Sequence, residues 1–207
     1  MLTAEQTAAW IKKTAAVIEE NREYLTQLDS AIGDADHGNN MHRGFQAALG
    51  KLPESGEPAD ILKAVSMALI SKVGGAGGPL YGTMYQKAAM AVKGKDELSA
   101  EDVEALLQAG VDGVKMRGRA EQGEKTMLDA LVPALEAFKQ ARAKGQELIS
   151  CLEHAVAAAE EGKRSTIDLV ATKGRASYLG ERSQGHQDPG ATSSHLILQT
   201  LLEAAQG

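Results

Sequence analysis

The chain has 207 residues, 43% of them apolar and only 3% aromatic, and a net charge of −6. This is the composition of one globular domain, spanning 1–207, with a core of Ala, Leu, Val, Ile and Met. It argues against nucleic acid as the main partner, which would need a basic surface, and it offers no run of about 18 apolar residues to cross a membrane.

The elements read as helices from end to end. Thr3-Ala-Glu-Gln6 is a capping box opening a helix expected over Thr3 to Leu28, with Trp10, Val17, Tyr24 and Ile11, Ile18, Leu25 on one stripe. A second helix is expected from about Gly38 to Leu49. A third, over 58 to 73, buries Ile61, Leu62, Val65, Leu69 and Val73, and a fourth has Pro79 in its first turn. Ser99-Ala-Glu-Asp102 caps a fifth, which carries Val103, Leu106, Leu107 and Val114. The sixth is expected from Lys125 to Ala143, the seventh over 147 to 163 and the last from Thr192 to Ala205. No alternating run of β-branched residues marks a strand. Short connectors favour antiparallel neighbours, so the expected fold is all-α. The single Cys151 leaves no partner for an internal disulfide and reads as a small core residue near a helix start. It suits a reducing compartment, and the N-terminus shows no basic region followed by an apolar run, so the expected location is the cytoplasm.

Three connectors are long or rich in glycine and charge, a mark of functional or disordered loops. The first, "SAIGDADHGNN" with Asp29 just before it, gathers Asp29, Asp34 and Asp36. If Gly33 permits a tight turn, three bare carboxylates would raise one another's pKa. Mg²⁺ would relieve this, since it takes a few carboxylates together with phosphate oxygens and water. Three carboxylates and a nucleoside diphosphate carry about six negative charges, which two Mg²⁺ neutralise better than one. The alternative is an acidic surface turn with helix-capping aspartates. An EF-hand is excluded, because counting from Asp34 places Asn39 and Phe45 where Gly and Glu are required.

The second connector, "VGGAGGPLYG", lets backbone N–H groups converge on an anion at a helix start, or makes a plain helix–helix turn. It is no P-loop, and neither is "GRAEQGEKT", which has Glu124 where the lysine should be. The third connector, 172–194, holds Arg175, Arg182, His186 and "DPG" at 188–190. Its arginines serve either phosphate binding or surface ion pairs. His37 and His186 read as phosphate donors or as capping side chains. Tyr178 and Leu179 amid the charges speak for a docked lid. Carboxylates, a glycine cradle and cations on loops at one rim suit phosphoryl transfer, which rests on positioning and charge neutralisation.

"LDSAIGDADHGNNMHRGF", "SKVGGAGGPLYGT", "RGRAEQGEKTMLDAL" and "KGRASYLGERSQGHQDPGATS" together resemble the L-subunit family of phosphoenolpyruvate phosphotransferase-dependent dihydroxyacetone kinases, from end to end and in order. The resemblance implies a barrel of eight antiparallel helices with the nucleotide and two Mg²⁺ in loops at one end. It implies that ADP is retained as a coenzyme, is phosphorylated in place by the phosphocarrier M subunit, and as ATP passes the phosphoryl group to dihydroxyacetone held on the K subunit. By motif, Asp29, Asp34 and Asp36 are the metal ligands. His37, Gly38, Asn39, Asn40, Ala76, Gly77, Gly118, Met127, Arg175, Asp188, Pro189 and Gly190 line the nucleotide site, and Arg175 joins the aspartates in the catalytic set. Gly77 stands where relatives commonly have serine, which removes a hydroxyl contact to phosphate. Gln184, where relatives often carry an apolar residue, reads as peripheral. The alternatives are a kinase subunit using exchangeable ATP on another small ketose or polyol, and a nucleotide-state sensor for a transcription regulator.

Overall fold

A computed structural model describes residues 1–207. Helix α1 (Ala4–Glu20) begins at the expected capping box. The Thr3 hydroxyl accepts from the Gln6 N–H at 3.1 Å, and the Gln6 side chain accepts from the Thr3 N–H at 3.0 Å. These bonds satisfy donors that a helix start otherwise leaves bare.

The expected first helix does not run through to Leu28 as one piece. It breaks at Asn21 (φ −95°, ψ 8°) and resumes as α2 (Arg22–Ile32). The Asn21 amide donates back to the Val17 carbonyl at 2.8 Å, the local competition for backbone groups that makes Asn a poor mid-helix residue. Along this broken wall the two expected stripes part company. Ile11, Ile18 and Leu25 are all buried, whereas Trp10 is buried, Val17 half-buried and Tyr24 exposed.

The remaining helices are α3 (His37–Leu49), α4 (Pro58–Lys72), α5 (Gly77–Ala91), α6 (Ala100–Gly118), α7 (Leu128–Ala143), α8 (Leu148–Ser165) and α9 (Pro189–Gln206). Each packs on the next: α3 on α4, α4 on α5, and so on to α9, which returns to α1, itself packed on α3. Counting α1 and α2 as one wall, this is the expected closed ring of eight antiparallel helices. The only strands are β1 (Leu2–Thr3) and β2 (Glu97–Leu98), which pair antiparallel with Leu2 opposite Leu98.

Two helix starts differ from expectation. Helix α7 begins at Leu128 because Lys125 sits at φ 62°, outside helical space. Helix α9 begins at Pro189, with Asp188 as its cap: the carboxylate accepts the Ala191 N–H at 2.7 Å. Pro189 then takes the first helical position, where a missing N–H costs nothing.

The core is one cluster of 47 buried side chains running through the ring. Five of the seven aromatics, Trp10, Phe45, Tyr81, Tyr85 and Phe138, are placed inside it. Trp10 and Phe45 pack on Tyr85 with ring centroids 5.6 and 6.3 Å away, and the Trp10 indole donates to the Ile197 carbonyl at 2.9 Å. A hydroxyl pair, Thr14 with Thr200 at 2.8 Å, joins α1 to α9. Cys151 is fully buried in the first turn of α8, as expected.

Small residues set how closely helices approach. At Gly162 on α8 a Cβ would lie 2.0 Å from the Asp129 carbonyl oxygen of α7, and backbone cannot yield as a flexible side chain can. Gly162→Ala is therefore expected to lower stability by about 2 kcal/mol. Urea unfolding should show this as a lower midpoint at an unchanged m-value.

Candidate functional site

Antiparallel alternation sends four connectors to one rim: 33–36, 73–76, 119–127 and 166–188. The starts of α3, α5, α7 and α9 meet there, bringing with them N–H groups that have no intrahelical acceptor and the positive ends of four helix dipoles. A cleft at this rim is lined from all four connectors.

Asp29, in the last turn of α2, is buried, and one of its carboxylate oxygens accepts the N–H groups of Asp36 at 2.8 Å and His37 at 3.1 Å. It thus ties the end of α2 to the start of α3. Gly33 does permit the tight turn between them, as the sequence suggested, but not through a left-handed backbone. The positive φ, 60°, belongs to Ala35, a conformation that costs a non-glycine residue about 1 kcal/mol. Gly33 is needed for space, since a Cβ there would lie 2.0 Å from the second Asp29 oxygen. The outcome is that ligand oxygens of Asp29, Asp34 and Asp36 all lie within 4.8 Å of one another. Burial, then the charges of Asp34 and Asp29, push the Asp36 carboxyl up against a lowering hydrogen bond from Asn40. Arg175 reaches over from the fourth connector to Asp34 at 2.9 Å.

His37 turns inward and meets the Ser193 hydroxyl at 2.8 Å. Burial lowers its pKa to about 4 despite the nearby Asp29, so the ring is neutral at pH 7 and bridges α3 to α9. Ser193 also meets the Tyr81 hydroxyl at 2.7 Å, which donates or accepts at Ser194 as well, at 3.0 Å. His186 is exposed.

On the glycine connector, Gly75 has φ 61°, and a Cβ at Gly78 would lie 2.4 Å from the Val73 carbonyl oxygen. Both positions demand glycine for α5 to start this abruptly. Ala76 provides no capping side chain, which leaves the N–H groups of Gly77 and Gly78 directed outward from the helix start.

The cleft brings together Asp29, Asp34, Asp36, His37, Asn40, Ala76, Gly77, Met127, Arg175, Asp188, Pro189 and Gly190. Gly118 lines an adjoining cavity that shares Ala76 and Met127 with the cleft and is walled by Leu80, Val114 and Ala120. Gly38 and Asn39 line neither cavity. Gly38 is packed so tightly on α2 that a Cβ would lie 2.0 Å from the Arg22 carbonyl oxygen, and Asn39 is exposed. Arg182 and Gln184 are also exposed and outside the cleft.

Two cleft residues escaped the sequence reading. Tyr81 is buried and organises the Ser193–Ser194 pair. Lys125 is 1% exposed and donates to the carbonyls of Thr166, Leu169 and His186. A buried lysine has no periodicity to betray it, and its one signal was "GEKT", dismissed as a failed P-loop.

This is the architecture of an all-α kinase domain. The dihydroxyacetone kinase of C. freundii, solved in complex with AMP-PNP and Mg²⁺, matches with a TM-score of 0.69 at 25% identity. The match covers 95% of this chain and 33% of that one, so this chain spans about a third of that protein's length. The DAK2 domain family matches residues 31–203, and the chain belongs to that family. It is 45% identical to the ADP-binding subunit of the PEP-dependent dihydroxyacetone kinase of Escherichia coli (strain K12), over 99% of both chains. It is 42% identical to the ADP-binding subunit of the PTS-dependent dihydroxyacetone kinase of Lactococcus lactis subsp. lactis (strain IL1403), over 98% of both. The resemblance drawn from the motifs holds.

Asp188 makes a separable prediction. Burial pushes its carboxyl up to about 7, against lowering contributions from the Ala191 N–H and Lys125. Its folded pKa is above its unfolded one, so its contribution to stability is full at acid pH and is lost as pH rises toward 7. Asp188→Asn keeps an oxygen to cap α9 without that loss. It should gain stability relative to wild type between pH 5 and pH 8 in urea titrations, whereas Asp188→Ala should cost about 1 kcal/mol through the lost cap.

Proposed function

We propose that this protein is the nucleotide-bearing subunit of a phosphoenolpyruvate-dependent dihydroxyacetone kinase. In this reading ADP stays on the rim, receives a phosphoryl group from a phosphocarrier M subunit, and as ATP yields it to dihydroxyacetone on a K subunit, giving dihydroxyacetone phosphate. The work is that of a phosphotransferase component in the cytoplasm. The observation that carries the reading is the set of three carboxylates within 4.8 Å, facing one cleft together with the bare start of α5.

The donor set fits Mg²⁺. All three ligands are hard oxygens, Asp29 is held rigidly by two backbone N–H groups, and too few carboxylates are present to complete an octahedron without phosphate or water. Asp29, Asp34 and Asp36 would hold two Mg²⁺, which when bound neutralise phosphate charge and align the transferring group. The N–H groups of Gly77 and Gly78 would receive phosphate oxygens at the positive end of α5. The residues at the starts of α3 (His37, Asn40) and α9 (Asp188, Pro189, Gly190) wall the same cleft, although the N–H groups of His37, Asn40 and Asp188 are already donated within the protein and Pro189 has none. Arg175, now on Asp34, is placed to turn its planar fork to phosphate once cations take over the carboxylates. Gly118 and Met127 bound the apolar cavity next door, which suits a purine ring. His37 is neutral and hydrogen-bonded inward, so it positions the loop and carries no phosphoryl group.

The reading is tested by denaturing the purified protein and measuring released ADP by chromatography, then recharging the intact protein with the phosphocarrier. About one ADP per chain, surviving gel filtration, is expected. ADP that exchanges freely, with ATP alone sustaining turnover beside the K subunit, would instead mark a kinase using exchangeable ATP.

Two substitutions follow. Asp34→Ala should cut phosphoryl transfer by at least about 100-fold, in line with loss of a metal-held charge clamp, and weaken ADP retention, with unchanged helical circular dichroism because the site lies in a connector. Unimpaired turnover would remove the aspartates from the mechanism. Gly77→Ser should restore a phosphate-facing hydroxyl. Its Cβ meets only the Val73 side chain, at 3.2 Å, so the helix start can accept it. One added hydrogen bond should slow release of a fluorescent ADP analogue by about fivefold.

A further inference from the structure

The fourth connector is a lid with two roots. One, Thr166 to Ala171, leaves α8; the other, Ser183 to Asp188, enters α9. They are stitched together by bonds from the Gly185 N–H to the Ile167 carbonyl at 2.7 Å, the Ala171 N–H to the Ser183 hydroxyl at 2.8 Å and the Asp188 N–H to the Thr166 hydroxyl at 2.9 Å. Between them, the 3₁₀ segment Arg175–Ser183 rests on a cluster of only three buried side chains, Ile32, Ala171 and Ala176, with Leu179 beside it. Tyr178, which the sequence suggested as an anchor, is 87% exposed. Gly174 and Gly180 hold φ of 66° and 57° on this middle portion.

Lys125 sits beneath both roots. Its ammonium has three N–H donors, and they go to the carbonyls of Thr166 and Leu169 on one root and of His186 on the other. No carboxylate lies within ion-pairing distance of it. Burying a lysine is costly, and a methionine would fill the same space without that cost, so packing alone does not account for it. The connector that carries it is fixed in turn. Asp129 accepts the Thr126 N–H at 2.7 Å, and the Glu124 carbonyl accepts the Thr172 N–H at 3.3 Å. The next residues, Thr126 and Met127, face the cleft and the adjoining cavity.

We propose that Lys125 is a positioning residue that pins both roots of the lid to the nucleotide connector, so that the lid opens only by swinging residues 173–182 and the nucleotide leaves slowly. This rests on the reading that ADP is retained at the rim. It assigns retention to a residue that needs no contact with the nucleotide. Without the clamp, the whole of 166–188 loosens together, and Arg175 and the Asp188 cap lose their places at once.

The test combines amide hydrogen exchange with release of a fluorescent ADP analogue, in wild type and in Lys125→Met. In wild type, 166–171 and 184–188 should be protected like the helices, and 173–182 should exchange faster. In the variant, protection should fall across 166–188 while α1 to α8 keep theirs, and ADP should leave at least tenfold faster. Release within twofold of wild type, or roots that keep their protection in the variant, would overturn the proposal. A variant that loses protection uniformly has lost its fold, and the wild-type profile then decides: roots exchanging as fast as the middle of the lid refute the clamp. Fast ADP loss from wild type with well-protected roots would refute nucleotide retention and leave the clamp standing.

Discussion

Crowded negative charge is the constraint around which the rim is arranged. Three carboxylates within 4.8 Å repel one another, and each local feature of the connector pushes them together. Asp29 is spent as a backbone acceptor for α3, Ala35 takes a left-handed conformation between the other two, and Gly33 is stripped of a side chain that would strike Asp29. A chain that merely needed to turn from α2 to α3 would gain nothing from this. The raised Asp36 carboxyl and the Arg175–Asp34 pair are two responses to the same repulsion, one a carboxyl made easier to protonate and the other a cation borrowed from the lid. Divalent metal provides a fuller relief and would release both.

Strain follows the same geography. The three non-glycine residues with positive φ, Ala35, Arg119 and Lys125, all lie in connectors of this rim. The barrel below has no such residues, and its 47-residue core can bear the cost of a few unfavourable backbone conformations. That separation of a rigid wall from a strained rim lets binding groups be set without disturbing the fold.

Most of the barrel was legible because helices declare themselves by period. Capping boxes at Thr3 and Ser99 and the buried faces of α4 and α6 emerged where the pattern placed them. The break at Asn21 did not, since a heptad count continues through a kink that moves Tyr24 to the surface. The acidic and glycine connectors were legible by composition, and so was the need for Gly33 in the tight turn, whereas the left-handed residue beside it, Ala35, was not. Which residue carries a positive φ depends on what crowds it in space, and Asp29 is four positions away from Gly33. Lys125 was invisible for a related reason. Its acceptors are backbone carbonyls 41 to 61 residues distant, and carbonyls leave no mark in a sequence.

The lid shows how little apolar burial a moving part can have and still be ordered. Its middle portion contributes only Ala176 to a cluster of three buried side chains shared with Ile32 of α2 and Ala171 of the root, far too little to hold it as the barrel helices are held, and such segments belong to the low-stability end of a protein. Order there comes from polar bonds at the roots. These fix where the lid pivots without fixing whether it is open. Hydrophobic docking of Tyr178 would have done the opposite, trading access for closure. By leaving that ring in solvent and burying a lysine underneath, the chain separates the location of the hinge from the energy of closing, which under the proposed function would come from phosphate charge at Arg175.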